Sequence, residues 1–109
     1  MSKFENSEAA PERSVVEAAF KERGPEDPEV LELYRRWLES REAEIDIEND
    51  PMAVIHFLVE QAELLTEAGL KQQAWDTLQD ARMAAHGAGD DELFVKIEAK
   101  MDELERDNK

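Results

Sequence analysis

Residues 51–69 read PMAVIHFLVEQAELLTEAG, and this stretch decides the fold. Met52, Ile55, Leu58, Val59, Ala62 and Leu65 recur at steps of three and four, and Val54 and Phe57 widen the stripe. That is the period of an amphipathic helix with one broad buried side. Asp50-Pro51 in front supplies a side-chain acceptor for orphan backbone donors and a ring already set for the first turn. Gly69 behind can take the left-handed conformation that closes a helix. No other segment is as apolar, so this helix is expected at the centre of the core.

Working outward, Lys71 to Ala85 predicts a second helix, with Ala74, Trp75, Leu78, Ala81, Arg82 and Ala85 inward. Gly87-Ala88-Gly89 breaks it. Asp90 caps a further helix in which Leu93, Phe94, Ile97, Met101 and Leu104 repeat. On the N-terminal side, Asp27-Pro28 opens a helix carrying Val30, Leu33, Tyr34, Trp37 and Leu38 to about Glu44. Before it, Ser14 and Glu17 have the spacing of a capping box. Val15, Val16, Ala19 and Phe20 give that short helix an apolar side, and Gly24-Pro25 ends it. The expectation is an all-α fold, a short array of about five helices whose brief loops make neighbours antiparallel. Residues 1–12 read as a flexible tail. Residues 13–109 read as a single helical domain: N-terminal helices at 13–44, an acidic linker at 45–50 and a helical core at 51–106. Tyr34, Trp37, Trp75 and Phe94 fall on apolar sides and read as core anchors.

The chain has 109 residues, 28 of them acidic and 13 basic, for a formal net charge of −15. Residues 1–50 hold 15 acidic and 7 basic side chains, and residues 51–109 hold 13 and 6, so the excess is spread over the whole chain. Such a field opposes direct binding to nucleic acid or an anionic membrane and favours a basic protein partner. Cysteine is absent, which excludes thiol catalysis, disulfides and cysteine-held metal. The start, Met1 to Asn6, lacks a basic segment followed by an apolar one, and the longest apolar run is Met52 to Val59. Both readings point to a cytoplasmic location. A chain this short has a limited core, which a homodimer would relieve.

Little in the sequence speaks for catalysis. His56 and His86 stand in no His-x-x-x-His or Glu-x-x-His arrangement. The four glycines, Gly24, Gly69, Gly87 and Gly89, sit at helix ends and form no phosphate loop. One enzymatic reading has content: Glu60 and Glu63 facing Asp76 and Asp80 could hold magnesium over a diphosphate. In outline this resembles the all-helical nucleotide pyrophosphohydrolases. A second alternative is an inhibitor that mimics nucleic acid and occupies the basic cleft of a DNA-binding protein.

Leu58, Ala62, Leu65, Gly69, Ala74, Leu78 and Ala81 carry a further signal. In these positions residues 58–89 resemble one partial unit of the tetratricopeptide-like helical repeat. The resemblance implies a helix–turn–helix module whose concave face, drawn from first helices, holds a protein partner. On the corresponding helix Glu60, Glu63 and Glu67 share a side, flanked by Gln61 and His56. The run Glu44, Asp46, Glu48 and Asp50 is the other candidate contact for a basic surface. The expected role is therefore a non-catalytic interaction or adaptor module, with no cofactor.

Overall fold

A computed structural model of the chain describes residues 11–107. Of the flexible tail expected at 1–12, residues 1–10 lie outside the described residues, whereas Glu12 is the cap residue of the first helix. Among the described residues there are five α-helices and no strand: α1 (Arg13–Arg23), α2 (Pro28–Ala43), α3 (Pro51–Glu67), α4 (Lys71–Gly87) and α5 (Asp91–Asp107). The fold is all-α. Backbone packing divides the chain into two compact units, Met1–Glu44 and Ile45–Lys109.

In the first unit α1 and α2 form a hairpin. The start of α1 differs from the capping-box expectation. Glu12 occupies the cap position with extended backbone and no side-chain cap bond, while its carbonyl accepts from the N–H groups of Val15 and Val16 at 3.0 and 3.2 Å. Ser14 lies inside the first turn. Glu17, which the box requires to reach back to the cap, instead pairs with Arg13 at 2.8 Å, four residues away on the same helix face. The apolar side is also narrower than the sequence reading: Val16 and Phe20 are buried, but Val15 is 47% exposed.

The second helix starts as expected. Asp27 Oδ1 accepts from the Glu29 N–H at 2.8 Å, and Pro28 takes the first helical position. Val30 and Trp37 are buried. Tyr34 meets Phe20 edge-on at 5.6 Å and stacks on Trp37 at 6.3 Å, so one aromatic run spans the hairpin. On the exposed side Arg35 holds both Glu32 and Glu39. Its hydrogen bond keeps the Glu32 carboxyl below the ordinary carboxylate range.

In the second unit the expected acidic linker folds into a turn. Asp46 Oδ1 accepts from the Asn49 N–H at 3.2 Å and Oδ2 from the Asn49 amide at 2.9 Å, and its carbonyl accepts from the Asp50 N–H. Asp50 then caps α3 through Ala53 N–H at 3.1 Å. Along α3 the buried set is Ile55, Phe57, Ala62, Leu64 and Leu65. Leu64 lay outside the stripe read from the sequence yet is fully buried. The buried side is shifted from the expected stripe: Phe57 and Leu64, seven residues apart, belong to it, while Met52, Leu58 and Val59 are half-buried.

Two copies of one turn connect α3, α4 and α5. After α3 the Gly69 N–H donates to Thr66 O and the Leu70 N–H to Leu65 O. After α4 the Gly89 N–H donates to His86 O and the Asp90 N–H to Ala85 O. Each is the Schellman closure, with glycine in the left-handed region at φ 86° and 76°. Gly87, expected among the breakers, is instead the last residue of α4. Each turn hands over within one residue to the next helix, so α3, α4 and α5 run antiparallel in succession, α4 packed on both neighbours. Alanines Ala74, Ala81 and Ala85 are fully buried along α4 and leave little bulk between backbones. Ile97, Met101 and Leu104 form the buried stripe of α5.

Candidate functional site

The antiparallel succession leaves a groove between α3 and α5, with α4 behind it. Its volume is about 210 Å³. The floor is apolar and buried: Ala62 from α3, Leu78 from α4 and Leu104 from α5. The rim is charged or polar: Glu63, Thr66 and Glu67 from α3, Lys100 and Glu103 from α5. The Thr66 hydroxyl is committed to Ala62 O at 2.8 Å, and the charged residues lining the groove are Glu63, Glu67, Glu103 and Lys100. Lys100 Nζ reaches across to Glu63 Oε2 at 3.4 Å. Both side chains stay about two-fifths exposed, at 43% and 40%. Screening by water limits such a pair to about 1 kcal/mol or less.

Of the acidic row expected on α3, Glu63 and Glu67 line this groove. Glu60 is half-buried, with one carboxylate oxygen shielded from solvent. His56 is exposed and Gln61 half-buried, and neither lines the groove. The second expected patch has local duties. Glu44 ends α2, its N–H bonded to Arg41 O, while Asp46 and Asp50 build the turn and the cap of α3. Hydrogen bonds from Asn49 lower the Asp46 carboxyl below its ordinary range. Glu48 is exposed in the same turn.

Thr66, Leu78, Lys100, Glu103 and Leu104 complete the groove, and sequence reasoning assigned no contact role to them. A signal did exist. Lys100, Glu103 and Leu104 sit three and four apart on the helix after a hairpin of the expected type, so extending the hairpin by one helix would have brought them opposite Glu63 and Glu67.

A second cleft, about 200 Å³, opens between α4 and α5 on the other flank of α5. Trp75, Arg82, Met101 and three carboxylates, Glu98, Asp102 and Glu105, line it. Arg82 bonds Glu98 at 3.4 Å and lies 5.8 Å from the Phe94 ring. The Trp75 indole nitrogen is buried and, among the described residues, has no hydrogen-bond partner.

Among the described residues no three His, Asp or Glu side chains form a group that could hold a metal ion, so Glu60, Glu63, Asp76 and Asp80 are not assembled into one. Asp76 instead accepts from Gln72 at 3.1 Å. Nor is any described helix long and apolar enough to cross a membrane. Comparison with protein-family models, with curated proteins and with solved structures yields no match.

Proposed function

We propose that this chain is a non-catalytic protein-interaction module of tetratricopeptide-like kind, which receives a basic segment of a partner protein in the groove between α3 and α5. The observation that carries the reading is the groove itself, an apolar floor of Ala62, Leu78 and Leu104 under a rim of Glu63, Glu67 and Glu103. Its volume, about 210 Å³, falls below the roughly 300–1,000 Å³ of small-molecule pockets. It suits one or two side chains from a larger partner. The recurrence of one glycine closure after α3 and after α4 supports the helical-repeat part of the reading. In the family that residues 58–89 resemble, the partner face lies on first helices, and on that analogy α3 and α5 would supply it.

The test compares two variants of equal charge change. One carries Glu63→Gln, Glu67→Gln and Glu103→Gln in the groove. The other carries Glu22→Gln, Glu42→Gln and Asp80→Asn at exposed positions outside it. Each serves as bait in native lysate at physiological salt. The expected result is a basic protein retained by wild type and the outside variant and lost by the groove variant. Equal loss in both would replace groove recognition with recognition of the general field, as nucleic-acid mimicry requires, and would overturn the proposal.

A further inference from the structure

The cleft between α4 and α5 carries one arrangement at one end and part of it at the other. On α5, Glu98, Asp102 and Glu105 recur at steps of four and three, so the three carboxylates share one side of the helix. Arg82 reaches over from α4, bonds Glu98 at 3.4 Å and lies 5.8 Å from the Phe94 ring. A cation, a carboxylate and an aromatic ring meet there. Trp75 stands on α4 seven residues before Arg82, two turns along the same side, and lines the cleft with Asp102 and Glu105. At this end the ring and the carboxylates stand without a cation: among the described residues neither Asp102 nor Glu105 has an ion-pair or hydrogen-bond partner. The Trp75 indole nitrogen is hidden and donates to neither of them, so the wall Trp75 offers is ring carbon. Buried Met101 forms the base.

Resting on the proposed interaction role, we infer that this end of the cleft receives an arginine side chain of a protein partner, on the flank of α5 away from the groove with α3. The guanidinium lies against the Trp75 ring and donates to Asp102 and Glu105, while the aliphatic stem covers Met101. Arginine fits better than lysine, because a planar guanidinium bonds carboxylates through its edge while its face rests on a ring. Arg82 already makes that combination of partners with Glu98 and Phe94. The volume of about 200 Å³ is below the roughly 300–1,000 Å³ of small-molecule pockets and suits a single side chain.

The readout is the Trp75 indole N–H signal in NMR spectra of the full chain, identified by its loss in Trp75→Phe. The probe is acetyl-arginine amide, titrated at constant ionic strength beside acetyl-lysine amide and the neutral acetyl-citrulline amide. Expected is a saturable shift of the Trp75 signal with arginine at millimolar concentration, a weaker response to lysine and none to citrulline. Two variants of equal charge change locate the cause. Asp102→Asn with Glu105→Gln should weaken arginine binding at least about fivefold, the size of one surface ion pair. Glu63→Gln with Glu67→Gln, in the other groove, should change it less than about twofold, the share of the general field. Equal weakening by both variants, a lysine or citrulline response equal to that of arginine, or no shift of the Trp75 signal would each overturn the arginine site. The interaction reading is judged separately, by partner capture with the groove variant. A silent Trp75 with capture intact overturns the arginine site alone, whereas capture lost equally by the groove and outside variants overturns the reading it rests on.

Discussion

Gly87 and Gly89 stand two residues apart and demand opposite treatment. Gly87 has ordinary helical backbone and nothing within 4 Å of where a Cβ would stand. Alanine there reduces the freedom of the unfolded chain and improves helix propensity, so Gly87→Ala should stabilise by up to about 0.5–1 kcal/mol. Gly89 also faces open space, but its φ is 76°. The left-handed region costs a side chain about 1–2 kcal/mol, so Gly89→Ala should destabilise by that amount. Paired urea titrations check both signs: a lower midpoint for Gly87→Ala would refute its helical assignment, and an unchanged or higher one for Gly89→Ala would refute the assignment of the turn to Gly89. Trp75 offers a second contrast. Its unbonded indole nitrogen carries a burial cost that Trp75→Phe removes while keeping most of the ring. That variant should lie within about 1 kcal/mol of wild type, whereas Trp75→Ala, which empties the cleft wall, should lose about 2–3 kcal/mol.

At the scale of elements, helix starts were more legible than helix surroundings. Asp27, Asp50 and Asp90 each accept a backbone N–H as the sequence led one to expect, because a cap depends only on neighbours two or three residues along. Asp90→Ala should therefore cost about 1 kcal/mol, read as a lower denaturant midpoint. The start of α1 was misread because Ser14 and Glu17 fit a capping box locally while Arg13 offered Glu17 an ion pair. Leu64 escaped because period analysis finds one stripe, and a shift of the buried side registers only once neighbours are in place. The groove was half legible for the same reason: Glu63 and Glu67 share a helix face in the sequence, but Lys100 and Glu103 join them only through packing in space. On α2 the Arg35 contacts give a pH prediction. The Glu32 carboxyl is lowered in the folded state, so its stabilisation is complete above the unfolded value of 4.5 and is lost as pH falls through the folded one. The difference in melting temperature between wild type and Arg35→Gln should persist at about pH 6 and shrink as pH falls below the ordinary carboxylate range. A constant difference across that range would show that Arg35 acts through packing alone.

At the scale of the whole molecule, the net charge of −15 sets two opposite responses to salt. Attraction within the chain comes from exposed pairs, such as Arg35 with Glu32 and Lys100 with Glu63, which water screens strongly. Repulsion comes from an excess of acids in both halves, acting over a Debye length of about 30 Å in 0.01 M salt and about 10 Å in 0.1 M. With 28 acidic residues against 13 basic ones, short-ranged attractions lose to long-ranged repulsions, so screening should help the folded state. Raising NaCl from about 0.01 to 0.2 M should lift the melting temperature by several degrees, the response to roughly 1 kcal/mol in a domain this size. The variant with Glu22→Gln, Glu42→Gln and Asp80→Asn should start higher at low salt and gain less. Capture of a basic partner in the proposed groove should move the other way, weakening as salt screens the carboxylate rim. A melting temperature that falls with salt would mean that surface ion pairs hold the fold. The acidic excess would then be part of how the chain folds and could no longer be assigned to the attraction of a basic partner.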